Sequence, residues 1–111
     1  MNFAMLIDCL EELADQSFQE EVWLGSRPDV LSFSSEAFEQ TFTDTGLSSE
    51  LEKDQEKSLL SPQVRELALQ LERAVRKVPN SIAQKEIIVH PAMVSVRSLA
   101  SALLRELKQA L

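Results

Sequence analysis

The 111-residue chain is 44% hydrophobic and 26% charged, which is ordinary for one folded domain, and its formal net charge is −7. A single cysteine excludes an internal disulfide, and no stretch approaches the ~20 apolar residues that span a bilayer. Residues 1 to 60 carry 14 acidic and 3 basic side chains, whereas residues 61 to 111 carry 4 acidic and 8 basic ones. Since charge pattern governs encounter and solubility rather than fold, this division bears on the partners of the protein.

A first helix is predicted over about residues 3 to 15, with Asn2 as its N-cap. Apolar side chains recur there at the spacing of one helical face: Phe3, Leu6, Ile7, Leu10, Leu13 and Ala14. The opposite face carries four carboxylates: Asp8, Glu11, Glu12 and Asp15. The helix is therefore expected to bury one face and to turn a negatively charged face outward.

A short second helix is predicted to begin at a capping box, in which Ser17 is the N-cap and Glu20 reaches back to its amide. Gly25 is expected to end this helix, because glycine readily takes the left-handed conformation of a C-terminal cap. Residues 30 to 33 are expected to be extended or irregular.

A third helix is predicted to follow, with a serine at 34 or 35 as its cap and Gly46 as its end. Its buried side chains are expected to be Ala37, Phe38 and Phe42. Residues 48 to 60 are mostly polar, and two interpretations stay open for them. They form either a short helix capped by Ser49 and Glu52 or a mobile connector.

Two long helices are predicted at the C-terminal end. Ser61 and Pro62 start the first one as N-cap and first helical residue, and Pro79 stops it. His90 and Pro91 open the second. Each carries one apolar stripe: Val64, Leu67, Ala68, Leu71, Ala74, Val75 and Val78 in the first, and Val96, Leu99, Ala100, Leu103, Leu107 and Ala110 in the second.

The fold class predicted from these patterns is all-α. We expect residues 1 to 111 to form a single domain, a compact bundle of four or five helices built on the two long C-terminal helices in antiparallel packing. All six aromatic residues lie within the first 42 positions, so the N-terminal half is expected to bring large side chains to a Leu-, Val- and Ala-rich surface.

Residues 44 to 46 spell Asp-Thr-Gly, the catalytic tripeptide of aspartic proteases, in which two such carboxylates share one proton. The protease fold is all-β and built on glycine-rich hairpins, whereas this chain has two glycines and helical periodicity on both sides of the tripeptide. The favoured alternative is a helix C-terminus closed by Gly46, with Asp44 and Thr45 as turn residues.

The other chemistry-bearing residues predict no catalytic, metal or cofactor site. His90, the single histidine, lacks a second histidine or a cysteine for a metal, so an N-cap or loop position is expected. Cys9 follows Asp8, whose like charge disfavours a thiolate, so a small, partly buried side chain is expected. The carboxylates of the first helix face away from its apolar stripe, unlike the inward ligands of di-metal bundles, and therefore form a solvated or partner-facing surface.

Trp23 has two interpretations. The three consecutive apolar residues 22 to 24 on a short helix cannot all face one core. Trp23 is therefore either a core residue at the end of the bundle, which we favour, or a partly exposed interface anchor beside Glu20 and Glu21.

Three elements together resemble a group of small bacterial proteins: residues 18 to 25, residues 42 to 47, and residues 88 to 91 with 96 to 100. Members of that group carry a "W…P…V", an "FDDT-G-L" and an "HP…V-R-x-L-A" element in succession at similar spacing. Thr43 stands where the group has an acidic residue. The resemblance implies no activity and no residue roles, although some such small acidic helical proteins are regarded as immunity or antitoxin partners.

The sequence as a whole predicts a non-enzymatic protein that binds a basic protein partner through its acidic half. An immunity protein for a toxin, such as a nuclease with a basic cleft, fits best, because clustered carboxylates mimic phosphate charge. The expected contact residues are Asp8, Glu11, Glu12, Asp15, Glu20, Glu21 and Trp23. The alternative is a homodimer or an assembly subunit, held together by attraction between the two oppositely charged halves.

Two further expectations concern ligands and location. The acidic balance argues against nucleic acid as a direct ligand, because such binding relies on Lys and Arg that neutralise phosphates. The chain begins without a basic segment, and Asp8, Glu11 and Glu12 interrupt any apolar run, so no secretory signal is expected. These features predict a cytoplasmic protein without a cofactor.

Overall fold

The computed structural model describes residues 1–24 and 34–110. Within these ranges the chain is all-α and contains no strand, which confirms the predicted fold class. Seven α-helices are present in the described residues: α1 (Phe3–Ala14), α2 (Gln16–Trp23), α3 (Ser34–Glu39), α4 (Leu47–Glu52), α5 (Pro62–Arg76), α6 (Gln84–Val89) and α7 (Pro91–Ala110). The number exceeds the expected four or five because α4 and α6 are additional helices of 6 residues each.

Helix α7 lies at the centre of the fold, with α5 packed along one side of it and α1 along the other. The predicted antiparallel pair is confirmed, since Lys77 at the end of α5 lies near Ala92 at the start of α7, and Glu66 lies near Glu106. The buried stripe of α7 consists of Met93, Val96, Ala100, Leu103 and Leu107. Ala110 is exposed, so the stripe ends one turn earlier than the sequence predicts.

The N-terminal half covers this helix pair with its larger side chains. α1 buries Leu6, Leu10 and Leu13, which are completely shielded from solvent. α3 continues into a π-helical segment, Gln40–Asp44, and together they bury Ala37 and Phe42 as predicted. These side chains and those of α2, α4 and α6 form one continuous apolar core with the C-terminal pair.

Polar side chains decide where the helices start. Asn2 accepts a hydrogen bond from the amide of Met5 (3.0 Å), and Ser61 accepts one from Val64 (3.2 Å), so both predicted N-caps are confirmed. The predicted capping box at Ser17 is wrong, because Asp15 accepts the bond from the Phe18 amide (3.1 Å) and starts α2 two residues earlier. Asp15 also ends α1, so a single residue separates the two helices.

The start of α3 also differs from the prediction. Ser34 is the first residue of α3 rather than a cap before it, and its amide donates to the side chain of Gln84 in α6 (3.0 Å). The predicted helix end at Gly25 and the irregular residues 30 to 33 lie outside the described residues.

Gly46 ends the third helical region as predicted, with a φ of 85° that favours glycine. Of residues 48 to 60, those up to Glu52 are α-helical and belong to α4, so the helix interpretation holds for this part. The predicted cap at Ser49 is wrong, because Gly46 precedes the first turn of α4. A short 3-10 turn, Gln55–Lys57, then leads to α5. The β-branched residues 87 to 89, in the segment expected to connect the long helices, lie in α6, which packs on α2.

Candidate partner-binding surface

Four carboxylates on the outer side of α1, those of Asp8, Glu11, Glu12 and Asp15, line one shallow cavity of about 260 Å³ together with Phe18 of α2. They share this side because they recur at three- and four-residue steps, while the apolar stripe of α1 packs towards the core. Glu12 is half-buried, and the other three carboxylates are exposed. We call this feature the acidic cleft. It unites four of the seven predicted contact residues.

Two carboxylates of the acidic cleft also hold the fold together. Glu12 accepts a hydrogen bond from the indole nitrogen of Trp23 (3.2 Å), and Asp15 caps α2. Glu11 pairs with Lys108 of α7 at 3.3 Å, with both side chains about half exposed (52% and 56%). A pair this exposed contributes little to stability, so Glu11 can exchange Lys108 for an external cation at low cost. Asp8 and Glu11 are therefore the carboxylates of the cleft best suited to a partner.

Trp23 lies in the core, as the favoured sequence interpretation holds. Its side chain is 3% exposed, and its ring packs edge to face against Phe38 at a centroid distance of 6.4 Å. The indole N–H is satisfied by Glu12, so the residue anchors α2 on α1. A partner docking on this surface would meet almost none of the Trp23 ring.

Glu20 and Glu21 are exposed on α2 but do not line the acidic cleft. Glu20 accepts a hydrogen bond from the side chain of Gln16 at 3.2 Å. Both residues add negative charge next to the cleft without converging on it.

The Cys9 thiol is buried in α1, and burial raises its pKa. The side-chain hydrogen bond with Thr41 opposes this rise, whereas the charges of Glu12, Asp8 and Asp44 increase the pKa further. Asp44 of the π-helical segment is thus close enough to act on the thiol, although more than 30 positions of chain separate it from Cys9. Asp44 is exposed and does not line the acidic cleft.

A buried polar network contacts the C-terminal end of α1, the helix that carries the acidic cleft. Gln19 is fully buried, and its side-chain amide donates to the carbonyls of Glu12 (3.1 Å) and Leu13 (2.9 Å) at the end of α1. Arg97 of α7 donates to the Gln19 side chain and to the carbonyl of Ile88 in α6, each at 3.0 Å. Burial lowers the pKa of Arg97, and the charge of Glu20 opposes this shift. The network thus joins four helices, and the sequence analysis did not identify it.

The remaining chemistry-bearing residues have structural partners. His90 accepts a hydrogen bond from the amide of Ala92 (3.0 Å) through Nδ1, which confirms the predicted capping position. Asp44, Thr45 and Gly46 lie at the end of the π-helical segment, where the Thr45 hydroxyl accepts from the amide of Leu47 (3.2 Å).

Across residues 1–24 and 34–110, no three His, Cys, Asp or Glu side chains group as metal ligands. In the same ranges, none of the helices combines the length and hydropathy needed to cross a membrane.

Comparison of the chain with models of protein families, with curated protein sequences and with solved structures gives no match. Any function must therefore be argued from the acidic surface itself.

Proposed function

We propose that this protein is a non-enzymatic binding module whose acidic N-terminal half docks on a basic protein. The acidic cleft carries the proposal: Asp8 and Glu11 are exposed on α1, and Asp15 is exposed at its end, next to the half-buried ring of Phe18. A row of this kind suits the guanidinium and ammonium groups of a protein surface, which a carboxylate binds through charge-assisted hydrogen bonds.

An immunity or antitoxin-type protein is the specific form of this proposal. Carboxylates held on a folded helix resemble the phosphates of a nucleic acid in charge, and a toxin that acts on nucleic acid needs a basic cleft. The negative charge of residues 1 to 60 would steer such a toxin towards the cleft and raise the association rate, most strongly at low salt. Phe18 supplies an apolar contact within the same surface.

The test compares two triple variants that remove the same number of charges. In the acidic-surface triple, Asp8→Asn and Glu11→Gln neutralise two carboxylates of the acidic cleft, and Asp44→Asn neutralises a further exposed carboxylate of the N-terminal half. Glu12 and Asp15, which hold the fold, are left intact. Glu52→Gln, Asp54→Asn and Glu56→Gln remove three exposed carboxylates at the end of α4 and just after it as the control. Each immobilised protein is exposed to lysate of the cells that produce it, and retained proteins are eluted by rising salt and identified by mass spectrometry.

We expect a basic protein to be retained by the parent chain and by the control triple, but to be lost from the acidic-surface triple. Its association rate, measured with the purified partner, should fall with salt for the parent and become less sensitive to salt in the acidic-surface triple. Equal retention by both triples, or no retained basic protein, would contradict the proposed function.

A further inference from the structure

Another cavity lies between the end of α5 and the start of α7. Its volume is about 220 Å³, and its polar lining consists of Gln70 and Arg73 of α5, Lys77 directly after α5, and Ser95 of α7. The apolar side chains of Ala74, Ala92 and Leu99 complete the lining. We call this cavity the basic groove. The groove is separate from the acidic cleft, because the two cavities share no lining residue.

The charges of the basic groove are positive and only weakly compensated. No carboxylate belongs to its lining as far as the described residues show, and within them Lys77 makes no ion pair. Arg73 lies 3.6 Å from Glu66, with side chains 60% and 59% exposed. Glu66 also accepts a hydrogen bond from Gln70 at 3.2 Å. Contacts between groups this exposed are weak, so an incoming anion can replace Glu66 at low cost.

The donors available in the groove come from side chains rather than from the start of α7. The Ala92 amide already donates to His90 Nδ1 (3.0 Å), and the Met93 amide donates to the His90 carbonyl (2.9 Å). An ammonium group, a guanidinium group, a carboxamide and a hydroxyl therefore border one concave site. This is the donor set that a tetrahedral oxyanion requires, with Arg73 able to bind two of its oxygens at once.

We infer that the basic groove binds a small phosphate-type anion, either inorganic phosphate or the phosphate of a small ester. A cavity of about 220 Å³ is smaller than the roughly 300–1,000 Å³ typical of sites for drug-sized ligands, so it suits a compact anion. The inference does not depend on the acidic cleft, and the two proposals can fail separately.

The test is a titration of the full ¹⁵N-labelled chain with inorganic phosphate and, separately, with glycerol 3-phosphate. Ionic strength is held constant with sodium chloride, so that general screening does not change. Saturable shifts of the Lys77, Ala92 and Ser95 amides are expected, while the amides of α1 stay unmoved. Tighter binding of the ester would identify a phosphorylated metabolite as the occupant, and equal or weaker binding would identify free phosphate.

Two pairs of variants locate the site. Arg73→Gln with Lys77→Gln is matched by Arg105→Gln with Lys57→Gln, which removes the same charges at exposed positions outside the groove. Ser95→Asp places a carboxylate in the groove and is matched by Ser98→Asp, at an exposed position on the same helix that does not line it. Each groove variant should weaken phosphate binding by about tenfold or more. The double glutamine variant removes the positive charges that attract the anion, and Ser95→Asp adds a negative charge that repels it. Each control should leave it unchanged.

Linear shifts that never saturate in the parent chain would overturn the inference. Binding that survives in both groove variants, or that falls equally in the controls, would overturn it as well. Circular dichroism of every variant checks the fold, which these substitutions of exposed side chains should leave intact.

Discussion

Glu50 shows how one buried charge is accommodated in this fold. Its side chain is 2% exposed, and its two carboxylate oxygens accept from the Leu59 amide (2.8 Å) and contact Lys53 (3.0 Å). Arg65 of α5 donates to the carbonyls of Leu51 (2.8 Å) and Lys53 (2.6 Å) at the end of α4, where a cation is favourable. A single carboxylate and a single guanidinium therefore attach α4 to the start of α5.

The substitution Glu50→Gln should destabilise the protein by about 1–3 kcal/mol at neutral pH, because a buried charge-assisted bond and an ion pair are lost. The Leu59 hydrogen bond and Lys53 lower the pKa of Glu50 below its ordinary 4.5, against the effect of burial. Its stabilising contribution is therefore complete above the unfolded pKa and is lost as the pH falls through the folded pKa. The difference in free energy of unfolding between the parent and the Glu50→Gln variant should therefore become smaller as the pH falls. Urea unfolding over a pH series measures it.

The matched control is Glu52→Gln, two residues further along α4, where the side chain is exposed. It should change the free energy of unfolding by less than about 0.5 kcal/mol. A Glu50→Gln variant as stable as the control, or one whose deficit does not shrink in acid, would show that the buried charge contributes no net stability.

At the scale of elements, Gln19 and Arg97 determine how α2, α6 and α7 meet. Gln19 satisfies two carbonyls at the end of α1, and Arg97 satisfies both the Gln19 side chain and the end of α6. These carbonyls are helix-terminal groups without partners inside their helices, so the side chains replace water that the packing excludes.

The substitution Gln19→Ala should lower the free energy of unfolding by about 1–3 kcal/mol or more, because it removes a buried hydrogen bond to the Leu13 carbonyl, takes one acceptor from Arg97 and opens a cavity. Gln16→Ala, on the same helix but exposed, is the control and should lie within about 0.5 kcal/mol of the parent. Urea unfolding monitored by Trp23 fluorescence measures both. Similar stabilities for the two variants would mean that water satisfies the network in the absence of Gln19.

At the scale of the whole molecule, the acidic first half and the basic second half of the sequence contribute to two different surface features. The acidic cleft lies on the α1 side of α7, and the basic groove lies on the α5 side. Only part of the opposite charge is paired within the chain, as between Glu11 and Lys108. The two surfaces remain available to other molecules, either to different partners or to another copy.

The oligomeric state distinguishes these outcomes. If the acidic cleft serves a basic partner, the isolated chain should stay monomeric at all concentrations and at both low and high salt, since its net charge of −7 opposes self-association. Sedimentation velocity measures this directly. A dimer that forms with rising concentration and weakens with salt would instead favour the homodimer that the sequence leaves as the alternative.

Much of the fold could be predicted because local rules act on adjacent residues. The caps Asn2 and Ser61, the left-handed Gly46 and the apolar stripes of α1, α5 and α7 need only short-range geometry, and the structure has them where expected apart from the exposed Ala110 at the end of α7. α6 could not be predicted in this way. Its Ile-Ile-Val run favours a strand locally, but Ile87 and Ile88 are buried against the rest of the fold and Arg97 satisfies its last turn. Tertiary packing outweighs the local preference there.

The acidic side of α1 was determined by the sequence alone, because residues spaced three and four apart on a helix must share a side. The roles of the individual carboxylates were decided only by the tertiary structure. Glu12 holds Trp23, Asp15 caps α2, and Glu11 pairs with Lys108 of α7. The basic groove likewise exists only because α5 and α7 pack antiparallel. Periodicity fixes the side of a helix on which a residue lies, whereas contacts between distant segments depend on how the whole core closes.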